Sequence, residues 1–416
     1  MLMKLARLSL YNRRSTVLMT WLSLTISLTL LLGIDHIRHE AKASFTNTIS
    51  GTDLIVGARS GQINLLLYSV FRIGNATANI SWETYQKITR HPQVKWSIPI
   101  SLGDSHQGYR VMGTNIEYFK HFSYGSKQLL TFSQGKAFSG VFEAVIGAEV
   151  ANKLGYNLND KIELSHGVGA VSFSQHKDKP FTIVGILQPT GTPVDQTVHV
   201  NLQAIEAIHQ GWQQGGPALT AKPKPLSEQN LQPSSITAFM LGLNSRMATF
   251  TLQREINTYR TEPLTAILPG VALAELWNML GMVEKLLLVI SMMVLLAALV
   301  GMVTTLLASM QQRQRELAIL RAAGANAWYV FALIQIEVLL LMLASLVSAV
   351  GLLTLTLMLI APSLAANYSL SVSGQIIHDN TLYWALGIIV FAAVLALIPS
   401  IQAYRNTLND GLSVKL

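Results

Sequence analysis

The chain has 416 residues, of which 50% are hydrophobic and only 12% are charged, against about 25% charged residues in soluble domains. This composition indicates a protein that is partly embedded in lipid. The net charge is +8 and cysteine is absent, so disulfides, thiolate metal sites and thiol catalysis are excluded.

The basic residues are dispersed along the chain rather than clustered, so we expect no nucleic-acid binding. Membrane lipid with anionic head groups is the more natural partner for a mildly basic, apolar chain.

The first apolar run extends from Val17 to Ile34 and is just long enough to cross about 30 Å of hydrocarbon as a helix. It follows a basic, amphipathic segment, residues 1–16, that holds four basic residues and no acid. A secretory signal peptide is the alternative interpretation, because Ala41-Lys42-Ala43 resembles a cleavage site. The length of the run and the charged residues before that site favour a membrane span.

Residues 35–280 predict a large folded domain of mixed α+β class. Apolar or alternating runs predict strands at DLIVGA (53–58), VKWSIPISL (94–102) and FTIVGIL (181–187). ISWETYQKITRHP (80–92) predicts a helix that begins after the capping residue Ser81 and ends before a proline.

The end of this domain predicts a strand at 236–243, a helix at 247–260 and a strand at 264–270. We expect these elements to pair with the first strands as one subdomain. Residues 113–235 then form a second, inserted subdomain. The stretch 211–235 is rich in Gly, Pro and Gln and predicts a mobile loop.

Three later apolar runs predict further spans at residues 286–310, 329–361 and 382–399. The connecting segment 311–327 is basic, whereas the loop after the third span carries no Lys or Arg, so the positive-inside rule places the segment 311–327 in the cytoplasm. The same rule makes both termini cytoplasmic, including the tail 400–416. The expected fold is an α/β membrane protein with four transmembrane helices and a large extracytoplasmic domain between the first and second helices.

All ten histidines fall on the predicted outer side of the membrane. His36 and His39 are one helical turn apart, which permits a pair of metal ligands but does not require one. Metal or haem handling is one interpretation; the other is that short loops and spans offer few places for histidine. No metal site is predicted beyond these two weak candidates.

Motifs for intrinsic catalysis are missing from the sequence. It contains no G-x-x-x-x-G-K-[ST], no H-E-x-x-H and no G-x-S-x-G. GARSG (57–61) has glycines, but it predicts only a turn after a strand. We therefore expect no enzyme activity and no cofactor bound by this chain.

Glu337 is the one acidic residue well inside a predicted span. A carboxylate in the membrane is costly unless it faces protein or water. One interpretation is a proton or cation relay. The other is a residue at a helix interface that is bonded to a neighbouring helix.

The segment RQRELAILRAAGANAW after the second span predicts a short amphipathic helix. Leu317, Leu320 and Gly324 share one face, and charged residues flank it. Gly324 suits a helix C-terminus, and Asn326 suits the cap of the next helix. Physical chemistry allows two roles, an interfacial helix on the membrane surface or an apolar ridge that seats in the groove of a partner.

This segment resembles the coupling segment of FtsX/MacB-type ABC transporter permeases, R-x-x-E-[IL]-[AG]-[IL]-[LM]-[RK]-A-[LI]-G-A. The chain departs from that pattern only at Ala323. The tail IPSIQAYRNTLNDGLSVKL resembles the family's P-A-x-R-A-x-x-x-D-P-x-x-A-L-R, with Gly411 in place of its second proline. The order of one span, a large domain and three spans is similar as well.

The resemblance implies a dimer of permeases, with a homodimer expected, that works with two cytoplasmic ABC ATPase subunits supplied as separate chains. ATP and Mg²⁺ would be bound by those subunits, and a periplasmic adaptor or lipoprotein is a further expected partner. The residues implied to contact the ATPase are Arg313, Arg315, Glu316, Leu317, Ile319, Leu320, Arg321, Gly324 and Ala325.

The function implied is mechanotransmission, in which helical stalks at 35–49 and 273–284 carry motion from the ATPase to a periplasmic substrate such as a drug, peptide, lipoprotein or haem. The location implied is the bacterial inner membrane. The alternative is a regulator that signals to an external partner, such as a cell-wall hydrolase, without transport. A membrane-anchored sensor or scaffold without an ATPase is the remaining interpretation.

Overall fold

The computed structural model describes residues 2–167, 179–209, 212–213, 216–217, 231–312, 324–368 and 379–409. The chain divides into two compact units. The helical unit comprises Met1–Glu40, Gly281–Ser363 and Val372–Leu416, and the α/β unit consists mainly of Ala41–Leu280.

The described residues form twelve α-helices, one π-helix at Leu67–Phe71 and one 3₁₀-helix at Pro193–Gln196. The α-helices are α1 Leu2–Asn12, α2 Arg14–Asn47, α3 Gln62–Leu66, α4 Trp82–Thr89, α5 Glu117–His121, α6 Ala148–Leu154, α7 Leu202–His209, α8 Ala248–Asn257, α9 Pro269–Gln312, α10 Ala327–Tyr368, α11 Asp379–Leu395 and α12 Leu397–Asn409.

Four helical stretches among the described residues are long and apolar enough to cross a membrane: Arg14–Asn47, Pro269–Gln311, Ala327–Ile360 and Thr381–Arg405. The α/β unit lies in sequence between the first and second of them. The predicted fold class, four apolar helices with a large mixed domain inserted between the first and second of them, is confirmed.

The helical unit buries one side of each helix and exposes apolar residues on the other. Leu28, Met302, Val338 and Ala392 are at most 1% exposed and pack in one cluster. Small residues in such a cluster let neighbouring helices approach closely. The exposed apolar side chains, such as Met293 at 66%, suit contact with lipid tails.

The last span is interrupted at Ala396, between α11 and α12. Pro399 explains the break, because proline lacks the N–H that would bond the carbonyl of Leu395 and its ring clashes with that carbonyl. Ser400 restores one interaction, since its hydroxyl donates to the carbonyl of Ala396 at 2.7 Å.

The α/β unit is built on one mixed sheet with the strand order β17-β1-β16-β3-β4-β12-β8-β11-β7. The strands of the described residues are β1 Leu54–Ala58, β2 Ile80–Ser81, β3 Val94–His106, β4 Tyr109–Thr114, β5 Ser123–Tyr124, β6 Gln128–Leu129, β7 Phe132–Gly135, β8 Glu143–Ile146, β9 Lys161–Ile162, β10 Ser165–His166, β11 Phe181–Leu187, β12 Thr197–Asn201, β13 Trp212–Gln213, β14 Gly216–Pro217, β15 Ser235–Ile236, β16 Ala238–Leu243 and β17 Leu264–Ile267.

The strands from the two ends of the unit pair as expected, because β1 lies between β16 and β17 in antiparallel register. Strand β3 then continues the sheet to the middle segment. Its first half, Val94–Ile100, pairs with β16, and its second half, from Ser101, pairs with β4. Strand β3 is therefore longer than predicted, and it joins the two halves of the sheet.

Strand β1 is buried on both faces. Leu54 and Val56 pack into one apolar cluster with α4 and α8, whereas Ile55 packs into another. This burial explains why Leu54–Ala58 contains no polar side chain, since a strand that is covered on both sides has no polar face.

The predicted cap of α4 is confirmed, since the Ser81 hydroxyl accepts a hydrogen bond from the Thr84 N–H at 3.3 Å. Ser81 also donates to Glu262 at 2.8 Å. The predicted mobile loop at 211–235 lies mostly outside the described residues.

Candidate functional site

Most of the predicted ATPase contacts, Arg313 through Arg321, lie outside the described residues. The structure describes both flanks of this segment. Helix α9 ends at Gln312, and α10 begins at Ala327. Gly324 and Ala325 stand between them.

Gly324 has a φ of +93°, a backbone conformation that glycine adopts readily and other residues rarely do. The predicted helix before Gly324 lies outside the described residues, so its role as a helix C-terminus stays a prediction. Asn326 directly precedes α10, and its carbonyl accepts from the Tyr329 N–H at 2.8 Å. Trp328 is 64% exposed and stacks on Phe331 at 4.7 Å, an arrangement typical of aromatic anchors at a membrane interface.

A polar cluster lies inside the helical unit. The carboxylate of Glu337, only 1% exposed, accepts from Arg13 Nη2 at 2.9 Å. It also accepts from the hydroxyl of Ser9 at 2.5 Å. Arg13 in addition contacts Ser309 through Nη1 and Ser9 through Nη2.

Three helices and one turn meet in this cluster. Ser9 belongs to α1, Ser309 to α9 and Glu337 to α10, and Arg13 lies at the turn between α1 and α2. Ser309 precedes Arg313 by four residues in the sequence. The cluster therefore binds the N-terminal helix to both helices that border the predicted coupling segment.

A second polar contact joins α10 to α12. The side-chain amide of Gln335 donates to the hydroxyl of Ser400 at 3.2 Å, one turn after the break at Ala396. Through Gln335 and Glu337, α10 forms polar side-chain bonds with α1, with α12 and with the turn at Arg13.

The two histidines that were weak metal candidates differ in exposure. His36 is 3% exposed, whereas His39 is exposed. Between them, Arg38 forms an ion pair with Glu284 of α9 at 2.9 Å. Within the part of the chain that the structure describes, no group of three metal-ligating side chains occurs.

Two other histidines lie in the interior of the α/β unit. The Nδ1 of His106 lies 2.7 Å from the carbonyl of Glu163, and its Nε2 lies 3.0 Å from the Tyr156 hydroxyl. His199 is fully buried and stacks on Tyr118 at 5.2 Å. Burial, and then the charge of Arg72, lowers the pKa of His199 to about 3, so this ring is neutral and acts as part of the core.

Sequence reasoning singled out Glu337 but not its partners. Arg13 was counted only among the cytoplasmic positive charges. A buried acid needs a partner of opposite charge, and this requirement predicts that a basic residue lies beside Glu337. The sequence alone does not tell which of the four basic residues in 1–16 supplies it.

Comparisons with known proteins match the chain in two parts. A model described as the MacB-like periplasmic core domain matches residues 17–252. A model described as the FtsX-like permease C-terminal matches residues 288–409. None of the curated proteins matches the chain.

Two solved structures are similar to part of the chain. The periplasmic region of MacB from Actinobacillus actinomycetemcomitans shares 10% identity, with 56% of this chain and 95% of that chain covered and a TM-score of 0.34. The extracellular domain of the noncanonic ABC-type transporter YknZ from Gram-positive bacteria shares 12% identity, with 52% and 99% covered and a TM-score of 0.31.

Proposed function

This chain belongs to the family of FtsX-like permeases with a MacB-like periplasmic core domain, and we propose that it is the subunit through which a separate ABC ATPase acts across the inner membrane. The observation that carries this proposal is the presence of both matches in one chain, at residues 17–252 and 288–409. The four apolar helices provide the crossings that such a role requires.

The proposed work is mechanical. Helices α2 and α9 contain 34 and 44 residues, or about 50 and 65 Å of continuous helix. Each is longer than the roughly 30 Å of hydrocarbon that a span must cross. A rigid helix of that length transmits a tilt imposed at one end to its other end, so no substrate channel through the membrane is needed.

In this proposal the segment from Arg313 to Ala325 is the contact for the ATPase, and both termini are cytoplasmic. The cluster around Glu337 would then transmit displacement of that segment to α1 and α2, because Arg13 bonds to α9 and α10 at once. A pair of permease copies with two ATPases is the expected assembly. We also propose that this assembly acts on a substrate in the periplasm and works there with an adaptor protein.

The test replaces Leu320, on the apolar ridge of the segment, with aspartate. Binding of the ATPase would remove water from this carboxylate without giving it a partner of opposite charge. At least tenfold less ATPase should therefore co-purify with the variant. Gln311→Asp introduces the same charge at an exposed position at the end of α9 and should retain the ATPase. Undiminished ATPase on both variants would rule out this contact.

Isolation of the intact complex from its native membrane then separates transport from signalling. A co-purified lipoprotein, adaptor or small cargo supports transport. A co-purified cell-wall hydrolase without cargo supports the regulator instead.

A further inference from the structure

None of the arginines that the structure describes in the α/β unit forms an ion pair, and two of them, Arg72 and Arg110, are partly buried whereas the others are exposed. Arg110, in β4, donates from Nη1 to the side-chain oxygen of Asn75 at 3.1 Å and from Nη2 to the carbonyl of Gly74 at 2.8 Å. Arg72, directly after the π-helix, donates to the carbonyl of its neighbour Ser69 and contacts Met112 Sδ at 2.7 Å. All of these partners are neutral.

The two guanidinium groups lie on the same side of the sheet. Arg110 and Met112 are two residues apart in β4, and side chains with that spacing point to one face of a strand. Because the guanidinium of Arg72 touches Met112, it lies on that face as well. Burial lowers the pKa of Arg72, the nearby Tyr118 hydroxyl raises it, and the charge of Arg110 lowers it again.

Two like charges that are partly withdrawn from water and have no anion repel each other and are costly. A cavity of about 440 Å³ is lined by Arg110 but not by Arg72. Its polar side chains are Asn75, Asn79, Arg110 and Thr237, and the remaining lining residues are apolar or glycine. Among the described residues, no acidic side chain lines this cavity.

The backbone holds this arrangement in place. Arg72 has a φ of +60°, in the left-handed region that non-glycine residues enter at a cost. Gly74 follows at +78°. This tight loop brings the carbonyl of Gly74 and the side chain of Asn75 against Arg110, so the guanidinium is fixed before any ligand arrives.

We propose that this cavity binds the anionic oxygen group of a small ligand, a carboxylate or a phosphate, with Arg110 as the direct contact and Arg72 as a second positive charge behind it. A guanidinium has five N–H groups in a planar fork. Two of those on Arg110 are engaged, which leaves three for bidentate bonds to an anion. Asn79 and Thr237 add neutral polar groups, so the site suits a single anionic group rather than a metal complex.

The test uses the full chain purified in detergent and titrated by calorimetry with sodium phosphate and, separately, with sodium succinate at constant ionic strength. At least one anion should bind saturably. Arg110→Met should weaken that binding at least about tenfold, because it removes a charge-assisted bidentate contact. Arg254→Met removes an exposed arginine from α8 of the same unit and should bind as the unchanged chain does.

Arg110→Lys keeps the positive charge but loses the planar guanidinium, so its affinity for the anion should lie between those of the unchanged chain and Arg110→Met. This variant decides the matter if Arg110→Met does not fold. Binding of neither anion to the unchanged chain, or equal binding to Arg110→Met, overturns the proposal. If the chain binds phosphate more tightly than succinate, the titration is repeated in nanodiscs of phosphatidylglycerol, which distinguishes a lipid head group from free phosphate. Tighter binding of succinate identifies a carboxylate ligand.

Discussion

Two ion pairs of the helical unit have the same N–O distance, 2.9 Å, but different surroundings. In the pair of Arg38 and Glu284 the side chains are 48% and 22% exposed, whereas Arg13 and Glu337 are 16% and 1% exposed. Water screens the first pair, so its contribution to stability is small. The second pair is buried, and the loss of one partner leaves a charge that neither water nor lipid solvates well.

We therefore expect Glu337→Gln to lower the free energy of unfolding by about 3–5 kcal/mol, because the change removes the negative charge that Arg13 contacts. Glu284→Gln, the matched change in the exposed pair, should lower it by less than about 1 kcal/mol. Unfolding in mixed micelles measures both values. Equal losses in the two variants would show that burial of the pair does not matter.

His199 gives the α/β unit a pH dependence. Its folded pKa is about 3, whereas an unfolded histidine has a pKa of about 6.5. Between these values the unfolded chain binds the proton and the folded chain does not. Stability from this group is therefore complete above pH 6.5 and is lost, by on the order of a few kcal/mol, as pH falls toward 3.

His199→Leu should reduce that slope in urea unfolding measured from pH 7 to pH 4. His106, whose pKa burial also lowers, leaves part of the slope in the variant. His91→Leu, at a partly exposed position, is the control and should keep the full slope. An unchanged slope in His199→Leu would mean that this ring is not held neutral by the core.

At the scale of the elements, the start of α6 shows how closely the sheet and its helices pack. Gly147 precedes α6, and a Cβ at this position would lie 2.3 Å from the carbonyl oxygens of both Val194 and Asp195. Those atoms belong to the backbone of the 3₁₀-helix Pro193–Gln196, which cannot move as freely as a side chain.

Gly147→Ala should thus destabilise the α/β unit by about 2 kcal/mol or more through overpacking. Gly270→Ala, in the first turn of α9, meets no atom within 4 Å and should be neutral or slightly stabilising, because alanine favours helix. Thermal unfolding of the two variants is the measurement. A smaller loss for Gly147→Ala than for Gly270→Ala would contradict the packing described here.

Local sequence patterns predicted a helix or strand correctly where a single local interaction determines it. The apolar run of DLIVGA and the cap at Ser81 depend on burial and on one hydrogen bond, and both appear as expected. The extension of β3 to His106 depends on pairing with β4, which no local pattern encodes. The break at Ala396 was readable from Pro399, but the long apolar run around it favoured one continuous helix.

In the candidate site, too, local patterns identified a residue but not its long-range partner. Glu337 stands out in sequence because an acid in an apolar run is unusual, whereas its partner Arg13 lies 324 residues away. The partner is chosen by the packing of α2 against α9 and α10. The arginine pair at Arg72 and Arg110 was missed for that reason too, since only the fold of β4 brings the loop after the π-helix beside it.

For the complete complex, the proposed mechanism requires α2 and α9 to tilt during ATP turnover, and we expect this tilt to change the separation between the two helices. Arg38 and Glu284 join these two helices in the helical unit. Because the chain has no cysteine, engineered cysteines at these positions are its only thiols, and the permease is cross-linked before the ATPase is added. A cleavable bismaleimide across Arg38→Cys and Glu284→Cys would therefore bind α2 to α9 at one defined place.

We expect this cross-link to slow ATP turnover of the reconstituted complex severalfold, and cleavage of the linker to restore it, because hydrolysis is coupled to helix motion. Asp35→Cys with His39→Cys places the same linker along α2 alone and should leave turnover unchanged. Full cross-linking of α2 to α9 without any change in turnover would separate hydrolysis from motion of these helices. In that case the long helices would serve as supports for the α/β unit, and the ATPase would have to act through another part of the chain.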